Sequence, residues 1–154
     1  MKGKWFDMVI DDETLVDQLK NDIYELLTGY DEYKDIVVKS SYDDFPVVSY
    51  PLVLIYEIEN SAVSQFYDGD EHIINVTYQF VIMADQNEYR TATENVRNIS
   101  TIIRDYMRGE RYHALKRLGN TPITKQQDDS NIRIGYMRYV GRIDIDTNTI
   151  YRRN

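Results

Sequence analysis

The segment from His72 to Ala84 constrains the fold more than any other part of the chain, because apolar and polar residues alternate along it. In an extended chain, one side of this segment carries a run of large apolar residues, namely Ile74, Val76, Tyr78, Phe80 and Ile82. The other side carries Asn75, Thr77 and Gln79, bracketed by Ile73, Val81 and Met83. Alternation with a period of two is typical of a β-strand with one buried face. A slip of one residue would turn the whole apolar set towards water, so we expect the register of this strand to be fixed.

A second strand is predicted over residues 52–59. An apolar run from Leu52 to Ile55 is followed there by Tyr56 and Ile58 in alternation with Glu57 and Glu59. We expect this strand to begin buried, to end half exposed, and to pair with residues 72–84 as a long antiparallel hairpin, since the two strands are neighbours in sequence. The polar connection over residues 60–71 is longer than a tight turn, so we expect a protruding loop.

Two amphipathic helices are predicted from apolar residues that recur at three- and four-residue steps. The first covers about residues 12–28, with Asp11 and Asp12 expected at its N-cap and first turn and Gly29 at the C′ position. The second runs from Thr91 to Arg108, where Thr91 and Glu94 have the spacing of a capping box and Gly109 ends the helix. The buried stripes are Leu15, Leu19, Ile23, Leu26 and Leu27 in the first helix, and Ala92, Val96, Ile99, Ile103 and Tyr106 in the second.

The remaining segments are shorter. A brief strand is predicted at Ile36-Val37-Val38, and a helical turn within 110–118 around Tyr112, Leu115 and Leu118, whereas residues 123–130 are polar and expected to be mobile. A C-terminal strand places Ile132, Ile134 and Tyr136 on one face. Its apolar phase changes towards Ile143 and Ile145, which predicts a bulge near Gly141. A turn at 146–149 and an edge segment Ile150-Tyr151 follow.

This order of elements predicts one α+β domain over residues 1–154, with an antiparallel β-sheet and two amphipathic helices packed on one face. A chain of 154 residues is long enough to bury a core without disulfides or metals. It contains no cysteine, which excludes disulfides, thiol catalysis and cysteine-ligated zinc. Asp7, Asp11 and Asp12 interrupt any apolar stretch near the start, so we expect no signal peptide, and no window approaches the ~18 apolar residues of a membrane span.

Candidate catalytic and metal-binding groups are sparse. No nucleophile-elbow, zinc-protease, phosphate-loop or dinucleotide-binding motif is present, and His72 and His113 lie on different elements. Glu57 and Glu59 would share one face of a regular strand, where they could act as an acid–base pair or form the solvated side of the strand; we favour the solvated side. The same holds for Asp144 and Asp146, and Asp68-Gly69-Asp70-Glu71 is better explained as a solvated turn than as a calcium loop. We therefore expect no enzyme activity, no cofactor and no metal.

Charge is distributed unevenly along the chain. The net charge is −8, which disfavours tight binding of nucleic acids over the whole surface. Acidic residues dominate before residue 90, and arginines concentrate near the C-terminus at Arg133, Arg138, Arg142, Arg152 and Arg153. The asymmetry fits a head-to-tail contact between like subunits, or else the ordinary solvation of a strand.

The order of these elements resembles the tail-terminator, or tail-completion, proteins of long-tailed bacteriophages, which include the head-to-tail joining subunits. The resemblance covers about residues 12–150: an N-terminal helix, a strand led by proline in Tyr50-Pro51-Leu52-Val53, the long loop, the alternating strand, the helix Thr91–Arg108 and the closing strand at Arg142-Ile143-Asp144-Ile145. The family has no catalytic signature, and residues 36–38 and 110–130 have no counterpart in the resemblance.

The resemblance implies a structural virion protein that forms a ring, typically of six copies, at the head–tail junction. Its partners would be copies of itself, the connector or neck and the tail tube, and DNA would pass through the lumen without specific binding. By this analogy the 60–71 loop is a contact arm with Gln65, Phe66 and Tyr67 as its anchor, unless the two aromatic rings fold back on the sheet. Arg142, Arg152 and Arg153 are further candidate contacts. The alternatives are another phage neck or connector protein, or a monomeric binding module without enzyme activity.

Overall fold

The computed structural model describes residues 14–40, 43, 49–62, 73–119, 123–126, 129–144 and 149–150. In chain order its elements are helix α1 (Leu15–Thr28), a 3-10 helix (Asp31–Tyr33), β1 (Val37–Ser40), β2 (Leu52–Ala62), β3 (Ile73–Ala84), helix α2 (Ala92–Met107), β4 (Lys116–Arg117), β5 (Thr124–Gln126), β6 (Asp129–Asp144) and β7 (Thr149–Ile150). The strands form one sheet in the order β1-β2-β3-β6-β4, and β5 and β7 also pair with β6. The short β1 runs parallel to β2, whereas the other described pairings are antiparallel.

Strand β3 occupies the centre of the sheet. It pairs with β2 from Leu52 opposite Met83 to Ala62 opposite Ile74, which confirms the predicted hairpin, although β2 continues three residues past Glu59. On its other side β3 pairs with β6 without a shift in register. Its alternating apolar residues Ile74, Val76, Tyr78, Phe80 and Ile82 are each at most 6% exposed. The period of two in the sequence therefore marks the most buried strand of the fold.

Both helices pack on the face of the sheet towards which this apolar set of β3 points, as predicted. The apolar stripe of α1 (Leu15, Val16, Leu19, Ile23 and Leu27) and that of α2 (Val96, Ile99, Ile103 and Met107) join the β3 residues in one core. Removing these side chains from water contributes roughly 25 cal/mol for each Å² buried, which is the main force that holds the helices to the sheet. We call this side of the sheet the helix face.

The helix ends follow capping rules with one correction. The Thr91 hydroxyl accepts a hydrogen bond from the Glu94 amide at 3.2 Å, and the Glu94 carboxylate accepts one from the Thr91 amide at 2.9 Å, so the predicted capping box is confirmed. The prediction of an aspartate N-cap for α1 is wrong, because Thr14 caps it and accepts from the Asp17 amide. Asp11 and Asp12 lie outside the described residues.

The predicted bulge near Gly141 is also wrong. Strand β6 keeps its register with β3 through that position, and the irregularity lies in β2 between Glu57 and Glu59. The change of apolar phase has another cause. Ile134 and Tyr136 point to one side of β6, while Met137, Tyr139 and Ile143 point to the helix face, so a regular strand accounts for the pattern.

Two segments contain strands that their composition did not predict. Part of the 123–130 segment pairs with β6 as β5, and β6 itself begins at Asp129, while the expected mobility of this segment stays a prediction. Within 110–118, hydrogen-bonded turns bury Tyr112 and Leu115, and the strand β4 then follows, while Leu118 is 43% exposed. Backbone pairing needs no apolar side chain, which is why composition did not reveal these strands.

A buried hydrogen-bond network ties the 3-10 helix to α2 and to the end of β3. Tyr33 donates its hydroxyl hydrogen to Asn95 Oδ1 at 2.9 Å and accepts from Asn98 Nδ2 at 2.9 Å. Asn95, which is 2% exposed, in turn donates from Nδ2 to the backbone carbonyl of Asp85 at 2.9 Å. Burial raises the pKa of Tyr33, so its hydroxyl stays protonated as the donor this network needs.

We expect Gly135→Ala to destabilise the protein by ~1–3 kcal/mol, since a methyl group there must push α2 away from β6. A Cβ at this position would lie 2.6 Å from Val96 Cγ1, which belongs to a stiff β-branched side chain. Gly119→Ala is the control, because nothing lies within 4 Å of a Cβ there. Urea unfolding of the two variants measures the difference, and equal midpoints would contradict the packing of α2 on β6.

We expect Tyr33→Phe to cost ~1–3 kcal/mol of unfolding free energy, because it leaves the Asn95 carbonyl buried without its donor. Tyr24→Phe removes the same hydroxyl from a residue that is 48% exposed on α1, and it should change stability by less than about 0.5 kcal/mol. Thermal and urea unfolding compare the pair. If both variants are as stable as the parent protein, the network does not stabilise the fold.

Candidate contact surface

The side of the sheet opposite the helix face carries a second apolar cluster. Leu52, Leu54 and Val81 form its centre, and Val37, Tyr50, Tyr56, Met83, Ile134 and Tyr136 pack around them. We call these residues the second-face patch. Among the described elements, both helices lie on the other side of the sheet.

Strand register brings the second-face patch together. Leu52 stands opposite Met83 and Leu54 opposite Val81 in the β2–β3 pair, and Val81 stands opposite Tyr136 in the β3–β6 pair. Residues directly opposite one another share a face and have Cβ atoms about 4.5–5.5 Å apart. The patch therefore spans neighbouring strands from β1 to β6 as one continuous surface.

The centre and the border of the second-face patch differ in exposure. Leu52 is 2% exposed, and Leu54 and Val81 are each 8% exposed. Val37, Tyr50, Tyr56, Met83, Ile134 and Tyr136 are only partly buried and keep accessible apolar surface. The accessible part of the patch is therefore its apolar and aromatic border, and contiguous accessible apolar surface is a common sign of a protein contact site.

Polar residues continue the same face along β3 and β6. Gln79 stands opposite Arg138, Thr77 opposite Val140, and Asn75 opposite Arg142. Arg138 donates from Nε to Gln79 Oε1 at 2.7 Å on the exposed surface. The surface thus has an apolar half and a half that carries the arginines of β6.

Of the six candidate contact residues, the structure describes Arg142 alone. This arginine is half-buried in β6, four residues from Arg138 and on the same side of the sheet as the second-face patch. Gln65, Phe66 and Tyr67 fall in the 63–72 segment and Arg152 and Arg153 in the 151–154 segment, both of which lie outside the described residues. The proposed contact arm therefore stays a prediction.

Glu57 and Glu59 of β2 do not share one face of the strand, as the sequence pattern predicted they would. Because of the bulge, Glu57 stands opposite Tyr78 and Glu59 opposite Thr77, which are consecutive residues of β3. The two glutamates therefore occupy positions on opposite sides of the sheet, and the prediction of a shared face is wrong. Glu57 accepts a hydrogen bond from the Tyr78 hydroxyl at 3.1 Å.

Other groups considered for chemistry lie apart. The His113 ring nitrogen Nδ1 is 3.0 Å from the Glu110 carbonyl oxygen on an exposed turn, while His72 and Asp146 are outside the described residues. In the part of the chain that the structure describes, no three histidine or carboxylate side chains are grouped so that they could hold a metal ion. None of the described helices is both long enough and apolar enough to cross a bilayer.

An acidic groove of about 660 Å³ lies between the 3-10 helix and the loop after β3. It is lined by Asp31, Glu32, Lys34, Asp35, Asn87, Glu88 and Tyr89. The charge of Glu88, followed by those of Asp31 and Glu32, raises the pKa of Tyr89, whose side chain is 61% exposed. Four acidic residues of the first part of the chain thus line one groove, whereas Arg138 and Arg142 lie on the side of the sheet that carries the second-face patch.

Comparison with known proteins leaves the family open. No model of a protein family matches the chain, and no curated protein matches it.

Proposed function

We propose that this chain is a structural subunit that acts by assembling with copies of itself. We further propose that the assembly is a ring, of about six copies by analogy, at the head–tail junction of a long-tailed bacteriophage. In this role the protein is a virion component of the tail-terminator or tail-completion kind, and it works through contacts without catalysis.

The single observation that carries the proposal is the second-face patch. The described helices occupy one side of the sheet, and the other side has six partly accessible apolar residues in one cluster. Tyrosine and methionine are common at the centres of protein interfaces, and the patch holds three tyrosines and one methionine. Covering this surface with another subunit would remove apolar area from water and favour association.

The charges favour a ring over a symmetric dimer. The patch continues into Arg138 and Arg142 on β6, whereas the acidic groove lies at the 3-10 helix and the loop after β3. A contact that joins unlike surfaces of identical subunits leaves one surface free at one end and the complementary surface free at the other, so it adds further subunits and forms a closed ring when the rotation closes. The head–tail location rests on the resemblance of the element order, with the loop residues Gln65 to Tyr67 and the terminal arginines as added contacts.

Two alternatives use the same surface differently. Another neck or connector protein of a virion would also assemble, but with different neighbours. A monomeric binding module would use the second-face patch for a peptide or a small ligand and would not self-associate. Light scattering at increasing protein concentration separates this last alternative from the first two.

We expect Tyr136→Glu to weaken self-association by at least about tenfold, or ~1.4 kcal/mol, because it places a charge on the accessible apolar surface of the second-face patch. The matched control is Tyr24→Glu, which makes the same exchange at an exposed tyrosine of α1, and it should assemble like the parent protein. Sedimentation equilibrium measures both, and circular dichroism verifies that each variant is folded. Equal weakening by the two variants, or a parent protein that stays monomeric at every concentration, would sink the proposal.

Two further observations test the ring and its location. Negative-stain electron microscopy of concentrated protein should show closed rings, and the gene should lie beside those for a portal or major tail protein. Open filaments would contradict ring closure. Neighbouring genes unrelated to virions would contradict the head–tail location and leave the assembly proposal standing.

A further inference from the structure

The helix face contains a cluster of arginines that the assembly proposal does not use. Arg104 and Arg108 lie one turn apart on α2 and therefore project from the same side of the helix. The contacts of Gly135 show which side that is, because a Cβ on this residue of β6 would lie 2.6 Å from Val96 Cγ1 and 4.0 Å from Ser100 Oγ. Val96 and Ser100 therefore face β6. Arg104 and Arg108 follow them at four-residue steps, so they continue the same row of side chains along β6.

A third arginine lies on the sheet, close to Arg104 and Arg108. Arg117 of β4 stands directly opposite Tyr139 of β6 in the antiparallel pair. Directly opposite residues share a face, and the Tyr139 ring packs edge-on against Phe80 on the helix face, with 5.8 Å between the ring centroids. The Tyr139 hydroxyl therefore lies between an arginine row on the helix and an arginine on the strand.

Two polar atoms at this place are buried and make no hydrogen bond, the Tyr139 hydroxyl oxygen and Arg104 Nε. Tyr139 is only 3% exposed, so solvent does not easily replace the missing partner. Buried polar groups almost always have partners, and an unpaired one calls for an explanation such as strain, a functional role, or a bound water or ion. Burial raises the pKa of Tyr139 while the charges of Arg117, Arg104 and Arg108 lower it, so the three guanidinium groups act on this hydroxyl.

Helix electrostatics explains only part of the cluster. Arginines near the C-terminal end of a helix are favoured by the helix dipole, which accounts for Arg104 and Arg108. The dipole accounts neither for Arg117 on the strand nor for an unpaired hydroxyl among the three cations. The nearby carboxylate, Asp105, pairs with Arg108 at 3.7 Å, but both side chains are more than 60% exposed, so the pair is weak.

We propose that Arg104, Arg108, Arg117 and the Tyr139 hydroxyl form a binding site for a phosphate group. Guanidinium groups present forked donors that match the oxygens of phosphate, and a phenol hydroxyl adds one more donor. A tetrahedral phosphate carries more oxygens and more negative charge than a carboxylate, so it is the better match for three guanidinium groups and a hydroxyl. A phosphate bound here would accept hydrogen bonds from both orphaned atoms, Arg104 Nε and the Tyr139 hydroxyl.

Inorganic phosphate is the probe for this site. Isothermal titration calorimetry, with sodium chloride replaced by sodium phosphate at constant ionic strength, should show saturable binding. Arg117→Gln and Arg104→Gln should each weaken it at least about tenfold. Arg97→Gln is the matched control, since Arg97 is an exposed arginine on the same helix. The proposal fails if phosphate binding is not saturable, or if Arg97→Gln weakens it as much as the other two.

Tyr139→Phe separates a binding role from a structural one. Because the hydroxyl has no partner, its removal should leave stability without phosphate unchanged or slightly higher, while phosphate affinity falls. An unchanged phosphate affinity in this variant would exclude the hydroxyl from the site and overturn the proposal.

A short DNA duplex distinguishes the source of the phosphate. If the duplex competes with inorganic phosphate, the ligand is a nucleic-acid backbone; if it does not compete, the ligand is a free or monoester phosphate.

Discussion

The central strand β3 is the constraint on which the rest of this structure depends. Its alternating residues place Tyr78, Phe80 and Ile82 on the helix face, where each is fully buried. Both helices, both neighbouring strands and the turn that buries Tyr112 are organised around that surface. The described helices all lie on this side. Val81 and Met83 alternate with the buried residues of β3 and therefore lie on the opposite side, in the second-face patch. The same alternation therefore determines both the core and the candidate contact surface.

Local patterns in the sequence correctly predicted the elements that residues close together in sequence determine. The period of two in β3 and the capping box of α2 depend on residues close together in sequence, and both are present as predicted. The bulge was misplaced because a change of apolar phase has two possible causes, an extra residue or apolar residues on both faces. In β6 the second cause applies, and only the register with β3 shows it. Strand β5 was missed because Thr124, Lys125 and Gln126 are all polar, and the backbone bonds that pair them with β6 leave no apolar pattern in the sequence.

The candidate surface was less predictable than the fold. The apolar run of β2 already indicated that both of its faces meet apolar surroundings, and Leu52 and Leu54 are indeed in the second-face patch. Their neighbours Val81, Ile134 and Tyr136 come from strands that pair over long sequence distances, so no local pattern joins them. The arginine cluster around Tyr139 was not predictable from a local pattern either, because Arg117 and Tyr139 meet only through the pairing of β4 with β6. The sequence analysis instead chose residues in a loop and near the chain end, Gln65 to Tyr67 and the terminal arginines, as candidate contacts.

The most direct measurement of the central claim is hydroxyl-radical footprinting of the protein at low and high concentration. Tyrosine and methionine side chains report on their own exposure in this experiment, and the chain has both on each side of the sheet. The account predicts that Tyr56, Met83 and Tyr136 become protected as concentration rises, while Tyr24 on the outer surface of α1 keeps its reactivity. Protection confined to α1, or unchanged reactivity of the three second-face residues in an assembled sample, would contradict it.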